Sequence, residues 1–335
     1  MNERPISFRN KGGQMICGIA HIPDIEEKKH IFKIGINLLN PGIKYRVAPN
    51  RLNVKISRLL CSKGYHVFRF DPPGIGDSEG ELPNNTPIPD IFESIQKGRF
   101  VDDIIETNNF ISKTFDLNRI ILIGNCGGAI TSLLVSRLDE RVSDLCLIDV
   151  PVNLRAANMT FADKLVEGGE KADLMFEKYI NKMMSVEAWI RIVTFRSNYK
   201  AIYKICLMKA KKLFRIGKGD VNLPKKIEKL CDEGKLNRQF FESFEAALQS
   251  DTQMLFILAE NDSGTEFFRE YVQKGYIEAG FSQSIAEKLV QVYQIDQANH
   301  VYTLVEWQEE LMRKICSWLD QICTLIACEN QIESM

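Results

Sequence analysis

Gly124-Asn125-Cys126-Gly127-Gly128 sets one nucleophilic side chain between glycines, where an apolar run, RIILI, meets a helical segment, AITSLLVSRL. A thiol at such a junction can attack a carbonyl carbon, and a helix start favours its thiolate through unpaired N–H groups and the helix dipole. Small neighbours are needed because a sharp strand-to-helix turn brings backbone close on both sides. A thiol with an ordinary pKa of about 8.5 still requires a base or a positive neighbour. Of the four His, His21 and His30 precede the predicted sheet and His66 opens a strand, whereas His300 lies in Ala298-Asn299-His300-Val301-Tyr302, between the last predicted strand and the last predicted helix. A carboxylate that could orient the imidazole is offered by the turn Ala259-Glu260-Asn261-Asp262-Ser263-Gly264-Thr265. Asp262 is the first choice there, with Glu260 and Asp149, at the end of the preceding core strand, as rivals.

The elements that must position these groups follow from hydrophobic periodicity. Between residues 31 and 150 short apolar runs alternate with helical patterns, as a parallel sheet with crossover helices requires. Strands are predicted over 32–39, 66–70, 119–124 and 142–149, and helices over 47–63, 97–115 and 127–138. Before them, 4–8 and 15–22 pair around Lys11-Gly12-Gly13. Residues 151–250 lose β character and are rich in Met, Phe, Lys and Glu, which predicts an inserted helical cap between core parts 1–150 and 251–335. Strand character returns at 253–259 and 291–296, with helices over 263–274, 282–290 and 303–322. The loop Asp71-Pro-Pro-Gly-Ile-Gly-Asp-Ser-Glu-Gly80 reads as a structural turn, since it lacks the spacing of a phosphate-binding loop.

Composition removes several classes. The 335 residues include 43 Lys and Arg against 44 Asp and Glu, so no global field draws the chain to nucleic acid or anionic lipid. Nine Cys, an odd number with no CxxC pair, argue against zinc and against a disulfide framework. The first residues lack the apolar run of a secretion signal, and no stretch of about 18 apolar residues follows, so a reducing, cytoplasmic setting without a membrane span is expected.

Through GNCGG, the AEND turn and the ANH turn together, the chain resembles the α/β-hydrolase superfamily over nearly its full length. Tyr45-Arg46-Val47, Arg51 and the run from Arg69 to Gly80 are also similar to a bacterial subgroup of these hydrolases found with exosortase systems. The Cys nucleophile is similar to that of dienelactone hydrolases, which lack so long a cap. The resemblance implies an α/β-hydrolase fold, a mostly parallel twisted sheet with flanking helices, and a triad in the order Cys126, Asp262, His300. It also implies an oxyanion hole from the N–H of Gly127 and a second N–H in the loop Asn40-Pro41-Gly42-Ile43. Pro41 has no N–H, so that donor is Ile43, the first choice, or Gly42.

The expected activity is acyl transfer through a Cys126 acyl-enzyme, as thioesterase, esterase or acyltransferase, without metal or organic cofactor; the alternative is a non-catalytic binding protein on the same fold. Between 204 and 229 nine basic residues (204, 209, 211, 212, 215, 218, 225, 226, 229) face two acidic ones, Asp220 and Glu228. This suits docking of an acidic acyl carrier protein or coenzyme A thioester, or equally a solvated helix face.

Overall fold

The computed structural model describes residues 2–24, 33–84, 86–154, 223–277 and 283–333. Eight strands form one sheet: β1 (Asn2–Arg9), β2 (Met15–Ile22), β3 (Ile34–Leu39), β4 (His66–Phe70), β5 (Arg119–Asn125), β6 (Val142–Ile148), β7 (Gln253–Ala259) and β8 (Val290–Ile295). Their spatial order is β1-β2-β4-β3-β5-β6-β7-β8. The hairpin β1/β2 and its junction with β4 are antiparallel, and every other pair is parallel. Strand β3 is buried along its whole length and β5 along all but its first residue, so both read as continuous apolar runs rather than alternations.

Helix α1 (Leu52–Ser62) follows β3; α2 (Ile88–Gln96) and α3 (Val101–Phe115) separate β4 from β5; α4 (Gly127–Ser136) follows β5. Further along the chain come α5 (Leu223–Asp232), α6 (Arg238–Gln249), the short α7 (Ser263–Phe267), a π-helical run (Phe268–Ile277), α8 (Gln283–Leu289) and the closing α9 (Val305–Glu333). One face of the sheet buries Ile36, Ile121, Ile148 and Ile257 against Leu60 of α1 and Leu311, Ile315 and Trp318 of α9. The closing amphipathic helix expected at 303–322 is therefore present and longer. The helix expected over 97–115 begins at Val101, with α2 a separate piece before it.

The chain divides into two compact units, Met1–Leu154 with Leu230–Met335, and Arg155–Lys229. Residues 230–250, placed in the cap by sequence, fold with the sheet unit. Asn237 caps α6 by accepting from the Gln239 N–H, and α6 packs on α4. Phe244 of α6 meets Phe256 of β7 edge-on at 5.9 Å, and burying such a ring is worth about 1.5–3 kcal/mol. The cap helices expected within 155–222, and six of the nine basic residues, lie outside the described residues; Lys225, Lys226 and Lys229 fall in α5.

Candidate active site

The parallel strands deliver their carboxyl ends to one edge, where β5, β6, β7 and the loop after β8 each contribute a side chain. Cys126 sits between β5 and α4 with φ 53° and ψ −116°, a left-handed turn that a residue with a Cβ enters only when its surroundings force it. The forcing is visible in the glycines. A Cβ at 124 would lie 2.3 Å from the carbonyl carbon of Gly128, and one at 128 would lie 2.6 Å from the Asn40 carbonyl oxygen. The Cys126 N–H donates to the Ile148 carbonyl at 2.9 Å, which ties the turn to the end of β6.

His300 lies in the loop between β8 and α9. Its Nδ1 is 3.3 Å from Asp262 Oδ2 and 3.8 Å from Asp149 Oδ2. Burial lowers its proton affinity, but the neighbouring Asp262 carboxylate and Cys126 sulfur outweigh that and raise its pKa to about 11. Asp262 follows β7 and stands just before α7, its own N–H donating to the Ala259 carbonyl at 3.1 Å. The loops after β7 and β8 are laced together: the N–H of Glu260 donates to Ile295, and that of Asn261 to Ala298.

Of the three acids weighed from sequence, two reach the imidazole. Glu260 turns away and accepts the Gln297 N–H at 2.6 Å. Asp149, with φ 46°, is buried and accepts the Ala259 N–H at 2.7 Å. Burial first, and the neighbouring Asp262 charge second, push its pKa up to about 7 against the pull of His300, the Ala259 amide and Tyr302. One oxygen of each acid and one ring nitrogen of His300 lie within 4.8 Å of one another.

Gly127, the first oxyanion donor expected from sequence, opens α4, where its N–H has no partner within the helix. A Cβ on Gly127 would lie 2.8 Å from the Gly42 amide nitrogen, so Gly42 is the loop residue brought against it. Ile43 is one residue further on, its side chain packed on the cluster of Ile75, Ile91, Ile95 and Phe100.

Sequence reasoning missed the anchor of that loop. Buried Asp71 accepts from the Asn40 amide at 3.1 Å, the Arg46 N–H at 2.7 Å and the Asp77 N–H at 3.3 Å, and pairs with the Arg46 guanidinium. Asn50 was missed as well: its amide donates to the Val301 carbonyl at 2.8 Å and so ties the strained 48–51 turn to the His300 loop. The signal for the first was the acid and arginine pattern around residues 46 and 71; none existed for the second. A cleft of about 680 Å³ opens at the opposite ends of β5, β6 and β7, lined by Arg119, Arg137, Arg141 and Asp144 among others, and the site described above does not line it.

No family model matches the sequence, and no curated protein matches it. Solved structures do match the fold. The esterase Pf2001 of Pyrococcus furiosus is 13% identical with a TM-score of 0.53, over 96% of this chain and 92% of its own. The proline iminopeptidase of Mycobacterium smegmatis is 14% identical with a TM-score of 0.51, over 96% and 98%. A putative α/β hydrolase of Agrobacterium tumefaciens is 12% identical with a TM-score of 0.51, over 96% and 97%. The chain therefore has the α/β-hydrolase fold, as its elbow and turns lead one to expect. Among the described residues no helix is long and apolar enough to cross a membrane.

Proposed function

We propose that the chain is an acyl-transfer enzyme, a thioesterase, esterase or acyltransferase, that works through a thioester on Cys126. The observation that carries the reading is the juxtaposition at the elbow. A thiol on a strained turn neighbours an imidazole whose pKa it helps raise to about 11, and a carboxylate backs that imidazole at 3.3 Å. An imidazolium beside the sulfur is the partner that an attacking thiolate requires.

In this reading Sγ attacks the carbonyl carbon of an ester or thioester, and the carbonyl π electrons move to oxygen. The Gly127 N–H and that of Gly42 or Ile43 receive the oxyanion. His300 passes its proton to the departing alkoxide or thiolate as the tetrahedral species collapses to the acyl-cysteine. Water, or an amine, alcohol or thiol acceptor, then gives its proton to His300 and attacks the acyl carbon, and the cysteine leaves as thiolate. Asp262 holds the ring and compensates its charge throughout. A small acyl ester or thioester suffices as substrate; the basic run at 204–229 supports delivery by coenzyme A or an acidic acyl carrier protein. The chemistry has no step that needs a metal.

Intact-protein mass spectrometry after exposure to a panel of acyl thioesters and p-nitrophenyl esters tests the reading. The expected result is an acyl adduct mapped to Cys126 and lost in Cys126→Ala. No adduct with any member of the panel would return the chain to a binding protein on a hydrolase fold.

A further inference from the structure

The turn that ends β6 holds a buried carboxyl that the reaction above does not use. The Asp149 side chain has no exposed surface, and its backbone is left-handed with φ 46°. The Ala259 N–H on Oδ1 does not explain a charge-bearing side chain there, because an Asn or Ser oxygen could accept the same hydrogen bond. Among the described residues Oδ2 makes no hydrogen bond of ordinary geometry, yet it faces His300 Nδ1 at 3.8 Å, beside the Asp262 oxygen at 3.3 Å. Tyr302, buried and also left-handed with φ 49°, carries a hydroxyl that makes no hydrogen bond of ordinary geometry among the described residues but favours the ionised form of the same acid. A strained, buried acid that looks at the site imidazole thus has a second strained residue, Tyr302, beside it.

We propose that Asp149 is a positioning residue, the second carboxyl on Nδ1 of His300, which shares with Asp262 the task of holding the ring toward Cys126. A second negative charge 3.8 Å from the same ring nitrogen favours the ring orientation that turns Nδ1 toward the two acids, and it strengthens the ring's hold on the proton. The ionisable groups that face Asp149 are Asp262 from the turn after β7, His300 and Tyr302 from the loop after β8, and Cys126 beyond the imidazole. With its pKa pushed up to about 7, Asp149 gains charge as pH rises through neutrality, and its grip on His300 strengthens in that direction. The inference rests on the proposed function only in giving His300 a task; its test needs no turnover.

Ring ¹⁵N-labelled histidine in the full chain, followed by NMR from pH 5 to 11, reads His300 directly, with buried His21 as internal reference. Wild type is expected to show a small second inflection of the His300 signals near neutrality. Asp149→Asn should abolish that inflection and weaken proton binding at His300 roughly tenfold, the effect of one removed neighbouring charge. Superimposable His300 curves in wild type and Asp149→Asn would overturn the proposal. If Asp149→Asn does not fold, Tyr302→Phe decides: loss of the hydroxyl, which favours the ionised acid, should move the neutral inflection to higher pH, and an unmoved inflection overturns the proposal. Failure of the ester and thioester panel with these NMR results intact would remove the enzymatic reading alone.

Discussion

Two histidines stand at opposite places in the same sheet, and the protein treats them oppositely. His21, on β2 between β1 and β4, is fully buried; Arg69 donates to its Nε2 at 3.1 Å, and Glu3 lies 3.8 Å from its Nδ1. Burial first, then the charge of Arg69, lower its pKa to about 4 against the pull of Glu3. His300, at the carboxyl ends of the strands, also loses proton affinity to burial, but Asp262 and Cys126 more than restore it, and its pKa rises to about 11. Burial pulls both the same way. The sign of the nearest partner decides the outcome: a guanidinium makes one ring a neutral acceptor, and a thiol with a carboxylate makes the other a cation.

If that contrast is functional, changes at the His300 end must remove chemistry, while changes at the His21 end must not. The largest effect is expected from Cys126→Ala, which should eliminate the acyl adduct and lower kcat/KM for a p-nitrophenyl ester by about 10³-fold or more. Steady-state kinetics and adduct mass both report on it, and wild-type turnover in this variant would remove the mechanism. His300→Gln should cost about 10²–10⁴-fold, the usual range for a lost acid–base group. His21→Gln is its control and should leave kcat/KM within about twofold; equal losses in both would break the comparison. Asp262→Asn should fall less, by about 10–100-fold, because Asp149 still faces Nδ1. A silent Asp262→Asn with a crippled Asp149→Asn would reverse their ranks.

The last contrast concerns stability rather than rate. The folded pKa of His21 lies below its unfolded value of about 6.5, so its contribution is complete above that pH and is lost as pH falls toward about 4. The amount is on the order of 3 kcal/mol. For His300 the folded value is raised, so its contribution is present below about 6.5 and is lost as pH climbs toward about 11. Urea unfolding of wild type and His21→Gln between pH 4 and 7 checks the first. The variant should lose less stability on acidification, and parallel curves would contradict the assignment of His21 as a buried neutral ring.

Much of this arrangement is legible in the sequence. The core strands are short apolar runs between breakers, and the elbow is announced by glycines whose absent Cβ atoms leave room for backbone. The acid was only partly legible. Three carboxylates follow β6 and β7 in the sequence, and what separates them is the direction each side chain takes after its strand. Glu260 differs from Asp262 by two residues, yet it serves a loop amide instead of the imidazole. Left-handed turns at Ala48, Arg51 and Tyr302 carry no sequence signal, because these residue types rarely adopt positive φ, and Asn50 signals it far more weakly than Gly would. Sequence left Ile43 and Gly42 nearly level as second donor; the backbone that lies against Gly127 is that of Gly42, since two backbones meet there without side chains between them. Residues 230–250 shared the helical texture of the segment before them, and only the packing of Phe240 and Phe244 shows which unit they join.

The close approach of Gly128 to Asn40, and of Gly124 to Gly128, also bears on how this scaffold can be re-engineered. Backbone meets backbone at both positions, so neither site has room for one added carbon, and Gly→Ala there asks β5, α4 and the loop after β3 to move apart together. Position 126 is different: its side chain is partly accessible and its strained conformation is set by the mount around it. In a saturation library the two glycines should tolerate almost nothing, while position 126 should accept Ser in place of Cys, so the proposed reacting atom is expected to be a replaceable part on a frame that is not.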